Sequence, residues 1–84
     1  MDIRSIVVER ADANSFCGLL TVRDMAGASR IWWSVERIDE HRVRVGFVQG
    51  ERADWLAFVE THAPILSDGI LTAIAHRRRL AAIA

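Results

Sequence analysis

Residues 30–49 read RIWWSVERIDEHRVRVGFVQ, and on each side of a short charged segment apolar and polar positions alternate. Such alternation is typical of β-strands, because successive side chains of a strand point to opposite faces of its sheet. If the two apolar faces coincide, Val35 pairs with Val45 and Trp33 pairs with Phe47. Residues 39–41 then form the connection, which is an ordinary length for a hairpin loop. The stretch therefore predicts one antiparallel hairpin in a defined register.

The same register also arranges the opposite face of the hairpin. Glu36 falls opposite Arg44, which is a favourable cross-strand pair, and Trp32 falls beside Val48. A slip of one residue would move every apolar side chain to the other face, so the pattern itself fixes the pairing.

Two further strands are predicted before the hairpin. Residues 3–10 contain a β-branched run, and residues 16–23 alternate Phe16, Gly18, Leu20 and Val22 with a second set of side chains. Residues 11–15 are expected to form the turn between these strands. Residues 24–29, which include Gly27, are expected to turn the chain into the hairpin.

From residue 50 onward the apolar period changes from two to about 3.6. Trp55, Phe58, Val59 and His62 share one side of a helix predicted over about residues 51–62. Pro64 lacks an N–H and disfavours helical geometry before it, so it is expected to end or kink this helix. A second helix then begins at Pro64 or at residue 67.

Strands followed by helices are typical of an α+β fold. We expect a four-stranded antiparallel β-meander followed by two C-terminal helices packed on one sheet face, a two-layer sandwich. The chain of 84 residues is expected to be one domain. The predicted apolar sheet face contains Ile6, Val8, Phe16, Leu20, Val22, Ile31, Trp33, Val35, Val43, Val45 and Phe47.

Charge and composition limit the classes of function. Eleven basic residues, all arginine, balance eleven acidic residues, so no net field attracts the protein to nucleic acid or to an anionic membrane. Cys17 is the only cysteine, which excludes an internal disulfide. The N-terminus does not resemble a signal peptide, and no apolar run approaches the roughly 20 residues that span a bilayer. These features predict a cytoplasmic protein with no membrane partner.

The chain offers little for catalysis. His41, His62 and His76 lie in different predicted elements, with no second ligand at the spacing of a metal site. Cys17 in a strand is more typical of a small apolar group than of a nucleophile, and adjacent Asp39 and Glu40 point apart. We therefore expect no enzyme activity, catalytic residue, cofactor or metal.

The run of three arginines at residues 77–79 could meet phosphates. Three consecutive helical residues fan out over about 200 degrees, however, so a solvated helix end explains the run better.

The sheet face opposite the predicted core is mixed rather than polar, because the first two strands add Ile3, Val7, Cys17, Leu19 and Thr21 to it. An apolar cluster on this face indicates that something covers it. Either the C-terminal part of the chain folds over it or a partner binds it. The candidate interaction surface comprises Trp32, Val48, Arg42, Arg44 and Leu19.

Two functions are compatible with this surface. The favoured one is a non-enzymatic protein-interaction module, such as a small homodimeric subunit, an adaptor or an inhibitor. The alternative is a nucleic-acid-binding domain in which Trp32 stacks on a base near Arg30, Arg42 and Arg44, helped by the C-terminal arginines. It ranks lower because the face has a single aromatic side chain and the chain has no net positive charge.

Overall fold

A computed structural model of the chain describes the backbone of residues 1–83 and the side chains of residues 1–78. The elements are β1 (Asp2–Ala11), β2 (Ser15–Asp24), β3 (Gly27–Arg37), β4 (Val43–Gly50) and α1 (Trp55–Ile83). The four strands form one antiparallel sheet in the order β1-β2-β3-β4. The α+β class and the β-meander are thus confirmed.

The central hairpin has the predicted register over most of its length. Val35 pairs with Val45, Trp33 with Phe47, and Glu36 lies opposite Arg44. The backbone N–H of Ile38 donates to the carbonyl oxygen of Arg42 at 3.0 Å and closes the loop. Apolar alternation on both strands therefore sufficed to position this hairpin.

Three β-bulges shift the register elsewhere. Each bulge leaves one residue without a pairing partner. These residues are Arg4 and Glu9 in β1 and Val48 in β4. The predicted register would pair Trp32 with Val48, and this pairing is wrong, because the bulge makes Gln49 the partner of Trp32. The bulge at Arg4 likewise returns Ile3 to the core, although strict alternation placed Ile3 on the opposite face.

The turn between β2 and β3 is shorter than predicted, because Asp24 already pairs with Gly27. The carboxylate oxygen Oδ1 of Asp24 accepts a hydrogen bond from the N–H of Ala26 at 2.9 Å. Gly27 has a φ angle of 112°, a region that side chains other than glycine rarely adopt.

The C-terminal part forms one helix, so the prediction of two helices is wrong. Pro64 lies inside α1. Its side chain is exposed, and the residues on both sides of it bury the same helix face through Val59 and Leu66. Packing of both halves on one sheet outweighs the hydrogen bond that the proline cannot donate. The helix also begins at Trp55, so Glu51 lies outside it.

The core lies between α1 and one face of the sheet, here called the inner face. The most deeply buried apolar side chains are Leu20, Val22, Ile31, Trp33, Val35, Val59, Leu66, Ile70 and Ile74. The helix crosses from β4, where Trp55 contacts Gly50, to β1, where Gly69 approaches Ile3 and Ile6. Val43 belongs to the predicted core set but is 48% exposed, because an open groove lies between it and Leu71 and Ile74 of α1.

Candidate interaction surface

The sheet face opposite α1, here called the outer face, carries one row of large apolar side chains. Leu19 of β2 pairs with Val7 of β1 on one side and with Trp32 of β3 on the other. Val48, the bulged residue of β4, continues the line beside Trp32. Val7 is 50% exposed and Val48 is 63% exposed. We call these four residues the apolar row, and it crosses all four strands.

Beside the apolar row lies a row of small side chains. Cys17 pairs with Ser34, and Ser34 pairs with Gly46, one step along the strands from the apolar row. We call Cys17, Ser34 and Gly46 the small-residue row. An open groove of about 340 Å³ lies between the two rows, and its lining includes Glu9, Cys17, Trp32, Val48 and Gln49. The outer face therefore has a row of large and a row of small side chains with a groove between them.

An ion pair fixes the environment of Trp32. The Arg30 guanidinium lies 5.6 Å from the centre of the Trp32 ring. Its Nε donates to Glu51 Oε1 at 2.9 Å, and the backbone N–H of Arg30 donates to the same oxygen at 2.8 Å. The hydrogen bond from the Arg30 side chain lowers the pKa of Glu51 and raises the pKa of Arg30. Arg30 is thus anchored over the ring.

The two other arginines of the candidate surface have different positions. Arg44 lies opposite Glu36 on the outer face, one row beyond the small-residue row. Arg42 lies in the hairpin loop, where its Nε donates to Asp39 Oδ2 at 2.7 Å. The pKa of Asp39 is lowered chiefly by the hydrogen bond from the backbone N–H of His41, and next by the hydrogen bond from the Arg42 side chain. Arg42 therefore stabilises the hairpin loop.

The structure brings together Leu19, Trp32 and Val48, places Arg44 nearby, and leaves Arg42 at the far end of the hairpin. Strand alternation also predicts Val7 on this face, but gives no reason to place it in line with Leu19. The helical period predicts Glu51 in the first turn of a helix, which is wrong. Glu9 lines the groove as an unpaired bulge residue, which alternation does not indicate. Extending β4 to residue 51 would have put Glu51 beside Arg30. A bulge has no comparable signal in this single sequence.

The side chains of Arg77 and Arg78, near the end of α1, contact the sheet. Arg77 Nη1 donates to the carbonyl oxygen of Val8 at 2.7 Å. The Arg78 guanidinium lies 5.0 Å from the centre of the Phe16 ring. The side chain of Arg79 lies outside the described residues. These contacts hold the C-terminal part of α1 against β1 and β2.

A second charged cluster ties the β2–β3 turn to the start of α1. Arg52 Nη1 donates to Asp24 Oδ1 at 2.8 Å, and Arg52 Nη2 donates to Asp54 Oδ2 at 2.8 Å. These hydrogen bonds lower the pKa of both carboxyl groups and raise the pKa of Arg52. The cluster lies away from the apolar row and has a structural role.

The three histidines lie apart from one another. His41 and His76 are exposed, and the His62 ring lies 4.7 Å from the Phe58 ring. Among the side chains of residues 1–78, no group of three or more His, Cys, Asp or Glu could hold a metal ion. Within the described range, no helix has both the length and the hydropathy needed to cross a bilayer.

In the described part of the chain, α1 packs on the inner face and no element covers the apolar row. Comparisons with protein-family models, with curated proteins and with solved structures found no match to this chain.

Proposed function

We propose that the protein is a non-enzymatic protein-interaction module that binds through its outer face, as a small homodimeric subunit, an adaptor or an inhibitor. The observation that carries this proposal is the apolar row, which crosses the sheet with Val7 and Val48 at least half exposed. Contiguous apolar groups on a solvated sheet face are usually an interaction site. Tryptophan and arginine are enriched where interfaces concentrate their binding energy, and Trp32 carries Arg30 over its ring.

The alternative function, nucleic-acid binding, has less support. A base would have to stack on a Trp32 ring that already has Arg30 over it. Arg30 and Arg42 each have a carboxylate partner, which reduces the positive charge available to phosphates. We therefore favour a protein partner.

The test compares substitutions of two apolar side chains that are exposed to a similar extent. Val48 and Leu56 are 63% and 59% exposed, but Leu56 lies on α1, away from the apolar row. We expect Val48→Asp to abolish association measured by sedimentation velocity at two protein concentrations, and Leu56→Asp to leave it unchanged. Circular dichroism of both variants checks that the fold is kept.

A wild type that neither self-associates nor binds another protein through Trp32 would contradict the proposal. A fluorescence titration with short RNA and single-stranded DNA at low salt examines the alternative. Salt-sensitive binding that Trp32→Asp removes would replace the protein-interaction function with nucleic-acid binding.

A further inference from the structure

The outer face is ordered along the strands in four successive rows. The opposed pair Glu36 and Arg44 comes first, and the small-residue row follows. The apolar row comes next, and the ion pair of Arg30 and Glu51 comes last. Alternate residues of a strand lie about 6.6 Å apart, so each row is separated from the next by about that distance.

We propose that the partner of the outer face is a second copy of this chain, related by a two-fold axis that lies between the two sheets. The axis runs perpendicular to the strands, between the small-residue row and the apolar row. This inference rests on the proposed function, because it uses the same surface. Each strand then lies over the same strand of the second copy, in the opposite direction.

The first support is shape. On β2, β3 and β4 the axis lays the apolar row of each copy over the small-residue row of the other, so Trp32 faces Ser34, and Val48 faces Gly46. On β1, Val7 faces Arg10, which pairs with Cys17. Well-packed sheets interdigitate their side chains across a layer about 10 Å thick. Neighbouring rows of large and small side chains meet this requirement when the second surface is reversed, and the groove of about 340 Å³ then lies at the axis.

The second support is charge. The same axis lays Glu36 of one copy over Arg30 of the other on β3. On β4 it lays Arg44 over Glu51. Unlike charges therefore face each other at both ends of the contact, and each group also has an unlike neighbour on the adjacent strand of its own copy. Complementary potentials of this kind favour one partner and one orientation. No net charge opposes the approach of two copies.

The third support is area. Four strands about 4.8 Å apart make a face about 19 Å wide. Because the axis reverses each strand, the copies overlap over residues 15–21 of β2 and residues 29–37 of β3, a length of about 23 to 30 Å. Each copy thus contributes roughly 450 to 550 Å², and the pair buries roughly 900 to 1,100 Å², which reaches the lower limit for a specific interface.

The experiment uses two variants that keep the net charge. In the hairpin variant, Glu36→Arg is combined with Arg44→Glu. In the ion-pair variant, Arg30→Glu is combined with Glu51→Arg. In either variant alone, the axis would bring like charges together at both ends of the dimer. In a mixture of the two variants, every facing pair is again unlike.

We expect each variant alone to dimerise about tenfold or more weakly than wild type in sedimentation equilibrium at low salt, because facing like charges repel. An equimolar mixture should recover the wild-type affinity as a heterodimer. Native mass spectrometry of a mixture with one variant isotopically labelled identifies that heterodimer. Dimerisation of either folded variant at wild-type affinity, or no recovery on mixing, would overturn this arrangement.

Wild-type Cys17 provides a second measurement if the ion-pair variant does not keep its fold. Cys17 is partly buried, and the axis places Leu19 of the second copy over it. Alkylation of Cys17 by iodoacetamide should slow at least about fivefold as wild type passes from monomer to dimer, and Val48→Asp should remove this dependence on concentration. Alkylation that is equally fast in the dimer would contradict the arrangement.

The outcomes separate the inference from the proposed function. A dimer that Val48→Asp dissociates but the charge exchanges do not affect keeps the outer face as the interface and rejects this axis. A wild type that is monomeric at millimolar concentration rejects the second copy as partner. The proposed function then depends on whether Trp32→Asp abolishes binding to a different protein.

Discussion

Gly18 lies where β1, β2 and the Trp33 indole come closest together. A Cβ at this position would lie 2.7 Å from Trp33 Cζ2 and closer still to the carbonyl oxygen of Val7. A backbone oxygen in a paired strand cannot move aside as a flexible side chain can. We therefore expect Gly18→Ala to lower the free energy of unfolding by about 1 to 3 kcal/mol, measured by urea denaturation followed by circular dichroism.

Gly69→Ala is the matched control for this substitution. Its Cβ would meet only the terminal methyl groups of Ile6 and Ile3, at 3.2 and 3.3 Å. Alanine favours a helix over glycine by about 1 kcal/mol, which offsets a small shift of these methyl groups. The free energy of unfolding should stay within about 1 kcal/mol of wild type. An equal loss in both variants would mean that the close approach at Gly18 is not the cause.

The adjacent tryptophans show how far a residue's placement follows from strand periodicity. Alternation predicts that Trp33 faces the core and that Trp32 faces away, and this is confirmed: Trp33 is 1% exposed in the core, whereas Trp32 is half-buried and lies beside Leu19 under the Arg30 guanidinium. Alternation predicts which sheet face a side chain lies on, however, and it assumes a register without bulges. It could not anticipate that an extra residue at Val48 changes the partner of Trp32.

At the scale of elements, Pro64 shows where local sequence rules fail. The rule that proline ends a helix considers only the lost hydrogen bond and the steric clash, of about 3 kcal/mol. It omits the packing of Val59 and Leu66, which lie on the two sides of Pro64 and are both buried when one continuous helix crosses the sheet. Burying such side chains contributes about 1.5 to 3 kcal/mol each, so continuation is favoured. The apolar stripe was predictable, but its continuity depended on tertiary packing.

Replacing Pro64 tests this explanation. Pro64→Ala restores an N–H that can donate to the carbonyl group of Glu60, while the exposed side chain loses no core contact. Part of the gain is cancelled because alanine gives the unfolded chain more freedom. We expect the free energy of unfolding to rise by about 1 to 3 kcal/mol in urea denaturation. A decrease would show that the helix needs the bend that proline favours.

At the scale of the whole molecule, acid should unfold the protein through the carboxylates that tie its elements together. Hydrogen bonds from Arg52 lower the pKa of Asp24 and Asp54, and those from Arg30 lower the pKa of Glu51. Below pH about 4 the unfolded chain takes up protons that the folded chain still excludes. The stabilisation is complete above that pH and is lost as the pH falls through the folded pKa values. Urea denaturation from pH 7 to pH 2 should show this loss.

Asp24→Asn identifies the contribution of one carboxylate to this pH dependence. The amide oxygen of asparagine can still accept the hydrogen bond from Ala26, so the turn is kept while the charge opposite Arg52 is removed. We expect lower stability than wild type at pH 7 and a shallower decline below pH 4. A decline as steep as that of wild type would assign the acid sensitivity to other groups.

All three bulges lie in β1 and β4, the two strands that have one side free in the sheet. A bulge interrupts the regular line of N–H and C=O groups that a further strand would need for hydrogen bonding. Both borders of the sheet therefore resist extension by another chain. If two copies also meet through the outer face as proposed, the contact uses up that face and ends at two copies. The protein should then resist polymerisation into filaments, and its assembly should be finite even in concentrated solution.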